Sequence, residues 1–163
     1  MTRGASGETT LRHAQILKDI DTLLSPEADC SRAMEGVVRT LQAAVPDYTW
    51  VGIYLLHGNE LVLGPFVGKP SPHTHIPVGR GICGAAAAER ATIVVDDVKA
   101  DTRYLACSVE TRSEIVVPIM SGGKVLGEID IDSDRVAAFG QDDRELLEAV
   151  AARLAPKIQS ARS

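Results

Sequence analysis

The chain has no excess of basic residues: 17 lysines and arginines stand against 22 aspartates and glutamates. A basic footprint for nucleic acid is therefore missing. It also has no long apolar run. IVVPIM (115–120) is among the longest, far short of the ~18–20 residues that a membrane helix needs. The opening MTRGASGETT is polar and holds no apolar stretch of the kind a secretory signal carries. These absences give the expectation of a soluble cytoplasmic protein with neither a membrane nor a nucleic-acid partner.

Cysteine is scarce, at Cys30, Cys83 and Cys107. An odd count without a signal peptide argues against a disulfide framework. There is no CxxC pair, so a structural zinc site is not expected. Each cysteine is then either an inert buried thiol or a working one. Aromatic residues make up only 4%.

What is present fits one domain. The 163 residues are 45% hydrophobic, enough for a core without staples. Residues 1–8 read as a disordered N-terminus and 9–160 as the domain. Leu11, Ile16, Leu17, Ile20, Leu23 and Leu24 follow helical spacing, and Ser25-Pro26 ends that helix. A second helix is expected from about Ser31, with Met34, Val37, Val38, Leu41 and Val45 on one stripe.

Past Pro46 the pattern changes. TWVGIYLL (49–56) and ELVLGPFVG (60–68) read as a hairpin around HGNE. KPSPHTHIPVGRG (69–81) reads as a loop, GAAAAER (84–90) as a short helix and ATIVVDDV (91–98) as holding a short strand. SEIVVPIM and KVLGEIDID form a second hairpin around SGGK, and a last helix runs from about Asp142 to Ile158. Helices, then hairpin-joined strands, then a helix make an α+β domain with an antiparallel sheet.

Several segments could carry chemistry. GRGICG (79–84) has the glycines of a dinucleotide fingerprint, but no strong strand precedes it and Asp96 and Asp97 come too early. The better reading is a glycine-permissive turn into a helix, with Cys83 near the helix start, where a thiolate is favoured. GEIDIDSD (127–134) alternates Glu128, Asp130, Asp132 and Asp134 with Ile129 and Ile131. On a strand those acids share one face, either solvated or lining a pocket for a cation. The calcium-loop reading fails, because Arg135 and Gln141 fill the positions where glycine and glutamate are needed.

In CSVETRSEIVVPI (107–119), Cys107 ends a loop and Glu114 opens an apolar strand. Glu114 either pairs with Arg112 or Lys124, or joins Asp130 and Asp132 near a thiol. Trp50, Gly52 and Tyr54 fall on one strand face, as core or as an aromatic pocket wall. His73 and His75 read as surface histidines, and no metal site is expected.

The order GRGICG, VVDDV, YLACSVETRSEIVVPI, GEIDIDS and a closing LLEAVA helix resembles the free methionine-(R)-sulfoxide reductases, which are stand-alone GAF domains. The resemblance spans about Thr49–Leu154, and YLACSVETRSEIVVPI is its most specific block. It implies a GAF-like α+β fold, a central antiparallel sheet of about five to six strands with helices packed on it.

By position, Cys107 matches the family's catalytic cysteine, and Glu114, Asp130 and Asp132 match its active-site carboxylates. Trp50 and Tyr54 match aromatic residues of its methionine pocket, and Cys83 matches the cysteine of its GVCG segment. The chain departs from the family at His73, ten positions before Cys83, where the family's main resolving thiol stands.

The implied activity is reduction of free methionine-(R)-sulfoxide. The Cys107 thiolate attacks, one of the three acids protonates the sulfoxide oxygen, and a sulfenic acid forms on Cys107. Cys83 or an external thiol then recycles it. No bound cofactor is implied; thioredoxin or another thiol is the outside reductant. The rival readings are a non-catalytic GAF module that binds a small metabolite and a thiol redox sensor. The N-terminal helices and related GAF domains fit a homodimer.

Overall fold

The computed structural model describes residues 7–106 and 108–162. Helices α1 (Gly7–Leu23) and α2 (Cys30–Ala44) precede β1 (Trp50–His57), β2 (Glu60–Val67) and β3 (His75–Pro77). Helix α3 (Gly81–Glu89), β4 (Ile93–Val95), β5 (Ser113–Ser121), β6 (Lys124–Ser133) and α4 (Gln141–Ala161) follow. The six strands form one antiparallel sheet in the order β3-β2-β1-β6-β5-β4.

Three boundaries differ from the sequence expectation for local reasons. Gly7 and Glu8, assigned to the disordered terminus, are already helical; residues 1–6 lie outside the described residues. Helix α2 is capped by Asp29, whose side chain accepts from the Arg32 N–H, two residues before the expected cap. Helix α3 starts three residues earlier than its alanine run implies, so Cys83 lies within its first turn. Strand β3, inside the expected loop, is a three-residue edge strand. Its Pro77 fits there because an edge strand can spare a donor.

The sheet has two unlike faces. Ile53, Ile115, Val117, Ile129 and Ile131 pack with Leu41 of α2 and with Leu147, Val150 and Leu154 of α4 in the main core. Trp50, Tyr54 and Val116 point the other way, into a smaller cluster with Ile82, Cys83 and Ala86 of α3. This follows from the period of two along a strand. On β6 the isoleucines take the core face, which leaves Glu128, Asp130 and Asp132 beneath α3.

Candidate active site

The register sets the site. On β1 and β6, Trp50 stands opposite Asp132, Gly52 opposite Asp130 and Tyr54 opposite Glu128. On the other flank of β6, Glu114 is opposite Asp132 and Val116 opposite Asp130. Three adjacent strands therefore put an aromatic pair and four carboxylates on one face. Glu114, Glu128, Asp130 and Asp132 are all buried. The sequence alternatives for Glu114 are thereby separated: it joins Asp130 and Asp132.

Gly52 has a steric reason. A Cβ there would lie 2.3 Å from the Trp50 ring, so glycine lets the indole lie across the strand. The indole stacks on Phe66 at 5.7 Å between centroids and donates from Nε1 to the Lys69 carbonyl at 2.9 Å. Tyr54 donates from its hydroxyl to the His73 carbonyl at 2.8 Å. Both aromatics are thus pinned to the segment that follows β2.

The glycines of GRGICG serve the turn itself. Gly79 and Gly81 take positive φ values of 92° and 67°, and a Cβ on Gly84 would sit 2.6 Å from the Pro77 carbonyl. The turn delivers Cys83 onto the acid face. One donor atom each from Cys83, Glu114 and Asp130 lie within 4.8 Å of one another. Such a set could hold a cation, whether a metal ion or an ammonium group, although sequence reading expected no metal site.

Burial governs the protonation of this cluster. Desolvation, then the charges of Asp130 and Asp132, push Glu114 well above the ordinary carboxylate range, and its carboxyl donates toward both aspartates. Desolvation likewise raises Asp132 and Glu128, each with the Asp130 charge next in weight. Asp130 is raised less, because Glu114 and Cys83 donate to it. It is the acid of the cluster best suited to carry the negative charge.

The Cys83 thiol is pushed well above its ordinary value by burial and by the surrounding carboxylates. This corrects the expectation of a thiolate favoured by the helix start: a helix dipole contributes little against four nearby acids. Among the described residues, both oxygens of Glu128, and Oδ1 of Asp130 and of Asp132, are buried without a close hydrogen-bond partner. Toward Glu128 the Cys83 thiol acts as a weak donor.

Two cavities open on this face. The inner one, about 20 Å³, is lined by Tyr54, His73, Cys83, Leu105, Glu114 and Asp130 among others. The outer pocket, about 490 Å³, is bordered by Trp50, Lys69, Ser108, Glu110, Asp132 and Asp134 among others. Asp132 belongs to the outer pocket and Glu114 to the inner cavity, and the two are neighbours across the β5–β6 register. His73 is half-buried rather than a surface residue, with ring Nε2 3.1 Å from the Ala106 carbonyl. His75 is exposed, as expected.

Cys107 lies outside the described residues. Its chain neighbours border the site: Ala106 accepts from His73, and Ser108 lines the outer pocket. Of the other sequence-assigned residues, Trp50, Tyr54, Cys83, Glu114, Asp130 and Asp132 are brought to this one face. Sequence reasoning passed over Lys69 and Glu110, and left Glu128 on the acid face without a role. The alternation in GEIDID carried the signal for Glu128, whereas a lysine and a glutamate in separate loops carry none.

A GAF domain model matches residues 25–158. The free methionine-R-sulfoxide reductase of Escherichia coli K12 is 34% identical over 142 residues, 87% of this chain and 86% of that protein. The protein of the same name from Saccharomyces cerevisiae is 41% identical over 125 residues, 74% of this chain and 69% of that one. The fold superposes on the X-ray structure of free methionine-R-sulfoxide reductase from Neisseria meningitidis in complex with its substrate. There the TM-score is 0.89 and the identity 36%, covering 99% of this chain and 96% of that one.

Proposed function

Because this chain belongs to the GAF-domain family of free methionine-(R)-sulfoxide reductases, we propose that it reduces free methionine-(R)-sulfoxide to methionine. The observation that carries the reading is the run of buried acids, Asp132, Glu114 and Asp130, leading inward from an aromatic-walled pocket. An α-ammonium group is the natural counterion for such a row, and Trp50 offers a flat apolar wall for a thioether-like chain.

In this mechanism the Cys107 thiolate attacks the sulfoxide sulfur. A carboxyl whose neutral form is favoured by burial supplies the proton to the sulfoxide oxygen. Glu114 and Asp132 suit that task, since burial and the Asp130 charge favour their neutral forms. The sulfur–oxygen bond of the substrate breaks, methionine leaves, and the oxygen stays on Cys107 as a sulfenic acid. A second thiol condenses with it to give a disulfide and water, and a thioredoxin-like or other external thiol restores Cys107 by exchange.

Cys83 is the internal candidate for that second thiol. Its buried, carboxylate-ringed setting disfavours the attacking thiolate, so direct attack by the external thiol is the competing route. The reading entails a reducing, cytoplasmic setting, no bound cofactor and a homodimer that uses the N-terminal helices. Among the described residues no helix is long and apolar enough to cross a membrane.

The same two features, a sealed Cys83 and His73 at the position of the family's second thiol, favour a second reading: a module that binds the ligand without turnover. Consumption of NADPH with thioredoxin, thioredoxin reductase and free methionine-(R)-sulfoxide separates the two. Turnover that disappears in Cys107→Ser is expected. Absent turnover in the unsubstituted protein, or turnover unchanged in Cys107→Ser, sinks the enzyme reading. Loss of turnover in Cys83→Ser, with one methionine still released per protein, assigns recycling to Cys83.

A further inference from the structure

A free amino acid carries two charges, and the acid row answers only one of them. An α-carboxylate entering the outer pocket meets the acidic side chains of Glu110 and Asp134. Lys69 is the only basic side chain among the described residues that line this pocket.

Lys69 is placed for recognition. Its carbonyl accepts the Trp50 indole N–H at 2.9 Å, which fixes its backbone to the aromatic wall. Its Nζ donates to both carboxylate oxygens of Glu110 at 2.8 Å. Glu110 is held from the other side by the Ser108 hydroxyl at 2.7 Å. The ion pair therefore joins the segment after β2 to the segment before β5, and both partners border the pocket. Both are also largely solvent-exposed, with side-chain exposures of 74% and 52%. A pair in that setting contributes little and exchanges partners readily.

We propose that Lys69 reads the α-carboxylate of the amino-acid substrate, and that Glu110 is the internal carboxylate which Lys69 gives up when the substrate binds. This deepens the function proposed above and rests on it. The two ends of the zwitterion are then read by opposite sides of one pocket: the ammonium by the acid row, the carboxylate by Lys69. A methionine sulfoxide residue within a peptide has an amide in place of that carboxylate. Lys69 therefore favours the free amino acid over the peptide-bound residue.

The test compares an acid with its amide. In the full-length protein, Lys69→Met keeps an unbranched stem and removes the charge. It is expected to raise KM for free methionine-(R)-sulfoxide about tenfold or more, as loss of a charged hydrogen bond does. Its kcat should stay within about twofold, and KM for the α-amide should barely move. Lys69→Arg should recover most of the loss for the acid. Glu110→Gln should lower KM for the acid severalfold, because Lys69 is released from its internal partner.

Calorimetry with L-methionine and L-methioninamide on the Cys107→Ser protein repeats the comparison without turnover. A missing turnover with an intact acid-over-amide preference overturns the enzyme reading but supports Lys69. Equal effects of Lys69→Met on acid and amide, or no effect on either, overturn the Lys69 assignment. Failure of both ligands to bind overturns the assignment and the function together. Circular dichroism checks that each variant is folded, and the exposure of Lys69 makes a folding defect in Lys69→Met unexpected.

Discussion

Strand β6 carries two chemistries on one backbone. Ile129 and Ile131 enter a core roofed by α2 and α4, while Glu128, Asp130 and Asp132 lie equally buried on the opposite face beneath α3. The isoleucine face gains from burial in the ordinary way. The acid face loses from it, since a carboxyl removed from water needs a proton, a cation or several donors. Equal burial thus has opposite energetic meaning on the two faces. The face that stabilises the domain is not the face to which the proposed function is assigned, as expected where a site is built against local stability.

The comparison is broken most forcefully from the apolar side. Leu147 of α4 is fully buried against that face. Leu147→Ala should lower stability by about 2–5 kcal/mol, read as a fall in melting temperature and in the urea midpoint. Turnover per folded molecule at low temperature should stay near the parent value. A large loss of turnover without loss of stability would show that the two faces are not separable.

The next effect comes from the acid side and has the opposite signature. Glu114→Gln preserves shape and removes the titrating carboxyl. Turnover of methionine sulfoxide should fall about a hundredfold or more, the scale of a lost proton donor. The melting temperature should hold or rise. Full activity in Glu114→Gln would leave Asp132 as the proton donor, and the same measurement on Asp132→Asn then decides.

Much of this division was legible in the sequence. The alternation of acid and isoleucine in GEIDID has the period of a strand, so a shared acid face follows from it. The spacing of Trp50, Gly52 and Tyr54 gives a second face in the same way. The pairing of β1 with β6 has no sequence signal, because more than 70 residues separate their partners in the register, from Leu55 and Gly127 to Trp50 and Asp132. The opposition of Glu114 and Asp132 lies closer to the sequence, on the hairpin expected around SGGK, and only the register irregularity between Ile119 and Met120 had to be seen in the fold.

Helix α3 starts ahead of its alanine run even though glycine and β-branched residues favour a helix less, and Gly81 and Ile82 precede the alanines. Tertiary packing of Ile82 and Cys83 under the sheet overrides that propensity. Lys69 and Glu110 meet from two loops that share no periodic pattern.

A smaller effect distinguishes Glu128 from its neighbours on the acid face. It is fully buried, and among the described residues its carboxyl finds no donor stronger than the Cys83 thiol. Glu128→Leu should stabilise the domain by about 1–3 kcal/mol, as replacing an uncompensated buried acid does. Thermal unfolding at neutral pH measures it. A variant less stable than the parent would show that Glu128 has a partner worth more than its burial penalty.

The mildest test varies pH alone. Glu114, Glu128 and Asp132 have folded pKa values well above their ordinary ones, and Asp130 is raised too, in each case first by desolvation. A carboxyl raised on folding binds its proton more tightly in the folded chain. Its stabilising contribution is complete below the ordinary carboxylate value near ~4 and is lost as pH climbs through the folded value. Stability should therefore decline from mildly acid pH toward neutrality and beyond, by up to ~1.4 kcal/mol per pH unit for each proton of difference. Glu110 works in the other direction, because Lys69 and Ser108 lower its pKa, but it sits in solvent, where the effect is screened. Melting curves from pH 5 to 8 should accordingly slope downward, and Glu128→Leu should flatten the slope by removing one of the raised acids. An upward slope would mean that the acid face keeps its charges when folded, and that the contrast between the two faces of β6 is one of composition without an energetic counterpart.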